Sequence, residues 1–297
     1  MSDYLLSVIL GIIEGITEFL PVSSTAHLRI CEALLHISLS SGYWKMYSIV
    51  IQLGAILCLP IYFRARIAKF LSTFPHGDRG DRTVFTHPLS LTILAFVVTA
   101  IPSFLLTKVI GKNLESLTVM GASLVIGGMV MWIVDARKAK WEDAGPNAPG
   151  TRIHTWHMEE MSLAEAIWIG ACQILSALFP GTSRSMSTIA AGQMAGMSRA
   201  SALEFSFFLS MPTMVVATCY DLLKSVWGRG ENAIGVSGID PHGWVILAIG
   251  FAVSFVVAYA VVAWFMHWVR RHGFVPFAIY RLIVGTAVLL WISKLPL

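Results

Sequence analysis

Apolar residues run along this chain in long blocks divided by shorter polar connections. Six blocks are long enough to cross a bilayer as helices, at approximately 46–63, 89–107, 117–134, 204–223, 243–268 and 274–293. Lipid offers backbone groups no partner, so these spans must be helical. Two further apolar segments, 5–36 and 163–195, do not fit the pattern. Pro21 interrupts the first and Pro180-Gly181 the second. Each arm has about 16 residues, hence about 24 Å as helix, against a hydrocarbon core of about 30 Å. Polar residues follow each break. The pattern predicts two re-entrant helical hairpins whose tips meet inside the membrane, where irregular backbone survives only against protein or a wet cavity. The expected fold is an all-α polytopic membrane protein with six transmembrane helices and two re-entrant hairpins.

The two halves also resemble each other. With Gly11 placed on Gly170, Pro21 falls on Pro180, Ser24 on Ser183 and Glu14 on Gln173. Each unit is one hairpin followed by three spans. Three is odd, so the second unit enters from the opposite side, giving an inverted-topology repeat with its site at the repeat interface. The expected organisation is a first repeat over 1–134, a loop over 135–161 and a second repeat over 162–297.

Composition strengthens the membrane reading. Hydrophobic residues make up 56% of the chain and charged residues 13%, against about 25% charged in soluble domains. The basic residues are placed unevenly. The connections at 64–88 and 135–161 and the turn at Arg270-Arg271 hold five, four and two of them. These connections share one side, which the positive-inside rule makes cytoplasmic. Both termini then face the periplasm. The opposite connections hold few, among them Lys112, Lys224 and Arg229. Cys31, Cys58, Cys172 and Cys219 lie in apolar stretches and form no CxxC pair, so they read as small buried hydrophobes. The N-terminal apolar run follows Asp3 and has no basic start or small-residue cleavage site, and is expected to be retained.

The candidate chemistry sits at the breaks. Glu14 and Glu18 are four apart and share a helix face. Ionisable residues inside a membrane are costly and point to function; these two fit a divalent-metal site for Mg²⁺ or Ca²⁺, a general base, or one of each. The bland alternative is a pair exposed at the interface with one member neutralised. After Pro21 come Ser23, Ser24, Thr25 and His27. A hydroxyl after a break is normally a helix N-cap, but here the helix end would point into the interior and attract an anion. His27 lies within helical reach of Ser23 and Ser24, a candidate nucleophile–base pair. The second break supplies Thr182, Ser183, Arg184, Ser185 and Thr188. Arg184 has no acidic neighbour in sequence, and its fork matches phosphate oxygens. The alternative is an ion pair with Glu14 or Glu18, exchanged when ligand binds. Arg281, in the last span, either binds phosphate or pairs with an acid. Arg199 and Glu204 read as structural pairing residues, and Gln52 as a hydrogen bonder to a tip or another helix. Together the set suits phosphoryl transfer better than acyl transfer.

The runs Glu14-Gly-Ile-Thr-Glu18-Phe-Leu-Pro21-Val-Ser-Ser-Thr25-Ala-His27 and Pro180-Gly-Thr-Ser-Arg-Ser-Met-Ser-Thr188 resemble the two signatures of the bacterial undecaprenyl-pyrophosphate phosphatases, also known for bacitracin resistance. The resemblance covers essentially the whole chain. It implies a membrane hydrolase that converts the C55 lipid pyrophosphate to the monophosphate plus inorganic phosphate, feeding peptidoglycan synthesis. It implies active-site roles for Glu14, Glu18, Ser24, His27, Ser183, Arg184 and Thr188, a divalent cation, and a site open to the periplasm. Ser24, His27 or water could each be the attacking group, with His27 or Glu18 taking the proton from Ser24. The expected partners are the polyprenyl pyrophosphate, membrane lipids and a second copy of the chain, with no nucleic acid. The competing class is a secondary transporter or lipid flippase, which shares the inverted-repeat architecture but needs no nucleophile.

Overall fold

The computed structural model describes residues 2–35, 37, 42–106, 116–227 and 239–294. Lys112 and Arg229 of the less basic connections lie outside them. The described residues form eleven α-helices and no strand. The helices are α1 (Asp3–Thr17), α2 (Ser24–Leu35), α3 (Gly42–Tyr62), α4 (Arg64–Thr73), α5 (Pro88–Leu105), α6 (Leu117–Ala144), α7 (Leu163–Leu178), α8 (Arg184–Ala195), α9 (Arg199–Trp227), α10 (Pro241–His272) and α11 (Val275–Ile292).

Six of these, α3, α5, α6, α9, α10 and α11, are long and apolar enough to cross a membrane. They coincide with the six predicted blocks. The remaining apolar segments are the pairs α1–α2 and α7–α8, each a helix, a break of a few residues and a returning helix.

Two boundaries differ from expectation. The loop predicted from residue 135 begins as helix, because α6 continues to Ala144 before Gly145 turns the chain at φ +83°. Ala, Arg, Lys and Glu dominate that stretch and favour helix. The basic connection at 64–88 also contains α4.

Small residues set the closest helix contacts. A Cβ at Gly11 of α1 would stand 3.0 Å from the Gly250 carbonyl of α10, and one at Gly170 of α7 would stand 2.5 Å from the Ala95 carbonyl of α5. Helices packing in lipid gain from such close approach, since lipid removes the hydrophobic drive between them. Thus α1 lies against α10 and α7 against α5, while α3 meets α9 and α6 meets α11. Aromatic side chains fill the middle, with Phe19, Phe63, Phe205, Phe207, Phe265 and Phe274 all buried.

Ion pairs, one of them buried, fasten the end of the bundle that carries the basic connections. Asp135 accepts from Arg199 at 2.8 and 3.1 Å, from Gln193 at 2.9 Å and from the Phe274 amide at 2.9 Å. Arg66 bonds Glu204 at 2.6 Å and also pairs with Glu159. Arg199 and Glu204 are therefore the structural pairing residues the sequence suggested. Gln52 accepts from Thr218 of α9 at 3.5 Å, a helix–helix contact.

Candidate active site

The two hairpin breaks are built by the same backbone device. Ser23 has φ +74° and Ser183 has φ +71°. Neither is glycine, so each carries a strain of about 1–3 kcal/mol. Each offsets part of it by capping the helix that follows. Ser23 Oγ accepts from the Ala26 amide at 3.4 Å and Ser183 Oγ from the Met186 amide at 3.4 Å. Gly181, at φ +92°, allows the second break to approach α6, where a Cβ would stand 2.5 Å from the Met120 carbonyl.

This geometry corrects the sequence alignment by one position. Ser23, not Ser24, is the counterpart of Ser183, and Ser24 therefore matches Arg184 at the first turn of the returning helix. Glycine packing in α1 and α7 still pairs Gly11 with Gly170, so the stretch from that glycine to the capping serine is one residue longer in the second hairpin.

The two tips touch. Ser185 Oγ donates to the Leu20 carbonyl at 3.0 Å. Glu18, at the end of α1, accepts from Ser24 Oγ through Oε2 at 2.7 Å. Through Oε1 it accepts from Arg184 Nη2 of the other tip at 3.3 Å. A continuous hydroxyl–carboxylate–guanidinium chain thus crosses from one hairpin to the other. Arg184 also lies over the Phe19 ring at 5.9 Å and reaches the Ser206 carbonyl at 3.5 Å, while among the described residues its Nε has no partner. The guanidinium is therefore held by long contacts and keeps donors for an anion.

Glu14 completes the polar cluster. Its side chain is buried, its carboxyl lies beside that of Glu18, and among the described residues no other group donates to either of its oxygens. Two neighbouring carboxyl groups with no other donor suit a shared proton or a hard cation. Among the described residues no three His, Cys, Asp or Glu side chains gather as a metal cluster. Remaining ligands would therefore come from phosphate and water.

Residues 7–287 match the sequence profile of the family described as bacitracin resistance protein BacA. The chain belongs to this family. Relatives agree over nearly their full lengths. The undecaprenyl-diphosphatase of Koribacter versatilis is 66% identical over 296 residues, covering 99% of this chain and all of that protein. Those of Caldanaerobacter subterraneus and Deinococcus radiodurans are 37% and 35% identical, covering 96% and 98% of this chain and 95% and 96% of the relatives. The BacA match includes both hairpin breaks.

Several of the candidate site residues hold places the sequence did not foretell. His27 bonds neither Ser23 Oγ nor Ser24 Oγ. Its Nδ1 donates to the Ser23 carbonyl at 2.7 Å and its Nε2 accepts from the Tyr280 hydroxyl at 2.7 Å. Helical side chains lean toward the N-terminus, which brings this ring back over the first turn of α2. Ser185 and Thr188 are buried struts. Thr188 Oγ1 bonds the Arg184 carbonyl at 3.0 Å and Ser206 Oγ at 2.7 Å. Thr182 is half-buried, and Thr25 is exposed, outside the hydrogen-bonded cluster.

Arg281 departs furthest from expectation. Among the described residues it pairs with no acid; it is fully buried and donates to three backbone carbonyls. Tyr280 and Ser206 were not singled out in the sequence. Ser206 left a faint signal, since Ser206 and Ser210 stand four apart in an apolar span. Tyr280 left none beyond its place beside Arg281.

Proposed function

We propose that this protein is an integral-membrane hydrolase that converts undecaprenyl pyrophosphate to undecaprenyl phosphate and inorganic phosphate, recycling the carrier lipid for cell-wall synthesis. The observation that carries the chemistry is the Ser24–Glu18–Arg184 chain across the two tips. The relatives' shared name supplies the substrate. The comparisons favour hydrolysis and give no support to the transport reading.

In the first step Ser24 Oγ attacks the terminal phosphorus. A new Oγ–P bond forms as the bond to the bridging oxygen breaks, and undecaprenyl phosphate leaves. Glu18, already accepting that hydroxyl hydrogen, takes the proton. Water then attacks the phosphoserine, inorganic phosphate departs and Ser24 regains its proton. Arg184 exchanges Glu18 for phosphate oxygens when substrate arrives, and the caps at Ser23 and Ser183 aim two helix N-termini at the same place. His27 is bonded at both nitrogens, which favours Ser24 as nucleophile and Glu18 as base. Glu14 and Glu18 would hold a divalent cation, Mg²⁺ or Ca²⁺, which would neutralise charge on the phosphoryl oxygens.

The hairpins are read as re-entrant and the halves as an inverted repeat. Support comes from the exchange of packing, α1 on the second-half helix α10 and α7 on the first-half helix α5. In the bacterial inner membrane the basic connections face the cytoplasm, and the site and both chain ends face the periplasm. Support is the eleven basic residues on one side.

The test is phosphate release from C55 pyrophosphate by purified protein in detergent, with and without EDTA. Release that EDTA abolishes is the expected result. No release from folded protein would overturn the reading.

A further inference from the structure

Arg281 lies midway along α11 with its side chain at 0% exposure. Its Nη1 donates to the Pro21 carbonyl at 3.1 Å. Its Nη2 donates to the carbonyls of Ser123 at 3.0 Å and Gly181 at 3.1 Å. Pro21 belongs to the break of the first hairpin and Gly181 to that of the second, while Ser123 lies on α6. One side chain therefore touches both tips and the span behind them.

The arrangement is costly. Among the described residues no carboxylate pairs with this guanidinium, and its Nε has no partner. A buried cation is tolerated only where hydrogen bonds satisfy it. The surroundings make room for it, because a Cβ at Gly127 would run into Nη2 and stand 2.7 Å from Met186 Cε. Two of the carbonyls it meets, those of Pro21 and Gly181, also need it. Backbone acceptors at a helix break have lost their helical partners, and buried ones must be bonded elsewhere.

We propose that Arg281 is a positioning residue that ties the two hairpin breaks together, so that Ser24 and Glu18 on one tip meet Arg184 on the other. Enclosed by carbonyls, it does not touch the substrate. It acts through the tips, and in place of either partner expected from sequence, a phosphate or an acid, it holds the frame on which the site depends. The effect on turnover rests on the hydrolase reading; the tie between the breaks does not.

The test combines phosphate release from C55 pyrophosphate with hydrogen–deuterium exchange of purified wild type, Arg281→Met, Arg281→Lys and Gly127→Ala. Arg281→Met should lower kcat about 100-fold with KM changed by less than about threefold, because reacting groups drift apart while most substrate contacts remain. Exchange should rise at both breaks, residues 18–23 and 179–183, and stay unchanged along α10. Arg281→Lys should recover part of kcat, since it returns a charge and donors without the fork. Gly127→Ala keeps the arginine but crowds it, and should raise exchange at the same two breaks to a smaller degree. Exchange rising throughout the chain or at one break alone would overturn the proposal, as would an unchanged kcat in Arg281→Met. Wild type inactive on C55 pyrophosphate would sink the hydrolase reading instead, and the exchange pattern would still decide the tie.

Discussion

Ser23 and Ser183 occupy the same place in the two hairpins, each at positive φ and each capping the helix that returns from the break. From the next residue the hairpins diverge. The first continues with Ser24 and His27 and carries Glu14 and Glu18 on its outgoing arm. The second continues with Arg184 and Ser187 and has Gln173 where the first has Glu14. The backbone device is repeated because both tips face the same geometric problem, a helix end turned inward. The charges are divided because a second pair of carboxylates would repel the first. Placing the cation on one tip and the acids on the other makes the tips attract each other before any ligand arrives, and gives the mixed set of groups that the proposed hydrolysis requires.

The comparison can be broken first at Ser24, where the first tip should be irreplaceable. Ser24→Ala should lower phosphate release at least about 1000-fold, as loss of a nucleophile does elsewhere. Near-full turnover would remove Ser24 from the attacking role. The next break exchanges the arms. Glu14→Gln should cost about 100-fold in kcat and shift the Mg²⁺ titration to higher concentration, a loss of transition-state charge stabilisation. Gln173→Glu should leave turnover within a few-fold but lower stability by about 1–3 kcal/mol, since its buried Oε1 has no donor and its Nε2 bond to Thr213 would be lost. Equal effects from the two exchanges would mean that the arms are not divided in function.

The sequence carried much of this division and missed part of it. Six spans and two broken segments were legible because apolar length and a breaker proline leave direct marks. Glu14, Glu18, Ser24 and Arg184 were legible because polar and ionisable residues within long apolar segments are conspicuous. The one-residue offset between Ser24 and Ser183 was not, because it depends on φ at Ser23 and Ser183. Nor was the role of Arg281. Its partners are backbone carbonyls, which every residue has, so no residue type announces them. The pairing of His27 with Tyr280 was hidden in the same way, as it joins residues 253 positions apart.

Smaller effects sharpen the comparison at its shared feature. Ser23→Ala and Ser183→Ala each remove a cap and keep the strained φ, so each should lower stability by about 1 kcal/mol, read as a thermal shift. Unequal shifts would show that the two breaks are not held alike. The smallest effect concerns the strap joining α4 to the segment before the second hairpin. Burial pushes the Glu159 carboxyl up, but the hydrogen bonds and charge of Arg66 outweigh it and hold the group below its ordinary value. The stability this pair contributes is present above the ordinary glutamate range and lost as pH falls through the lowered value. Glu159→Gln should therefore flatten the fall of Tm on acidification, and an unchanged slope would show that the strap contributes nothing.

The central claim is that two tips from different halves make one reaction site. It is tested most directly by phosphate release from C55 pyrophosphate for wild type, Ser24→Ala, Arg184→Ala and the double variant. Groups serving one transition state fail together, so the double variant should be no worse than about tenfold below the poorer single variant. Losses that multiply, or an Arg184→Ala protein with wild-type turnover, would contradict the account.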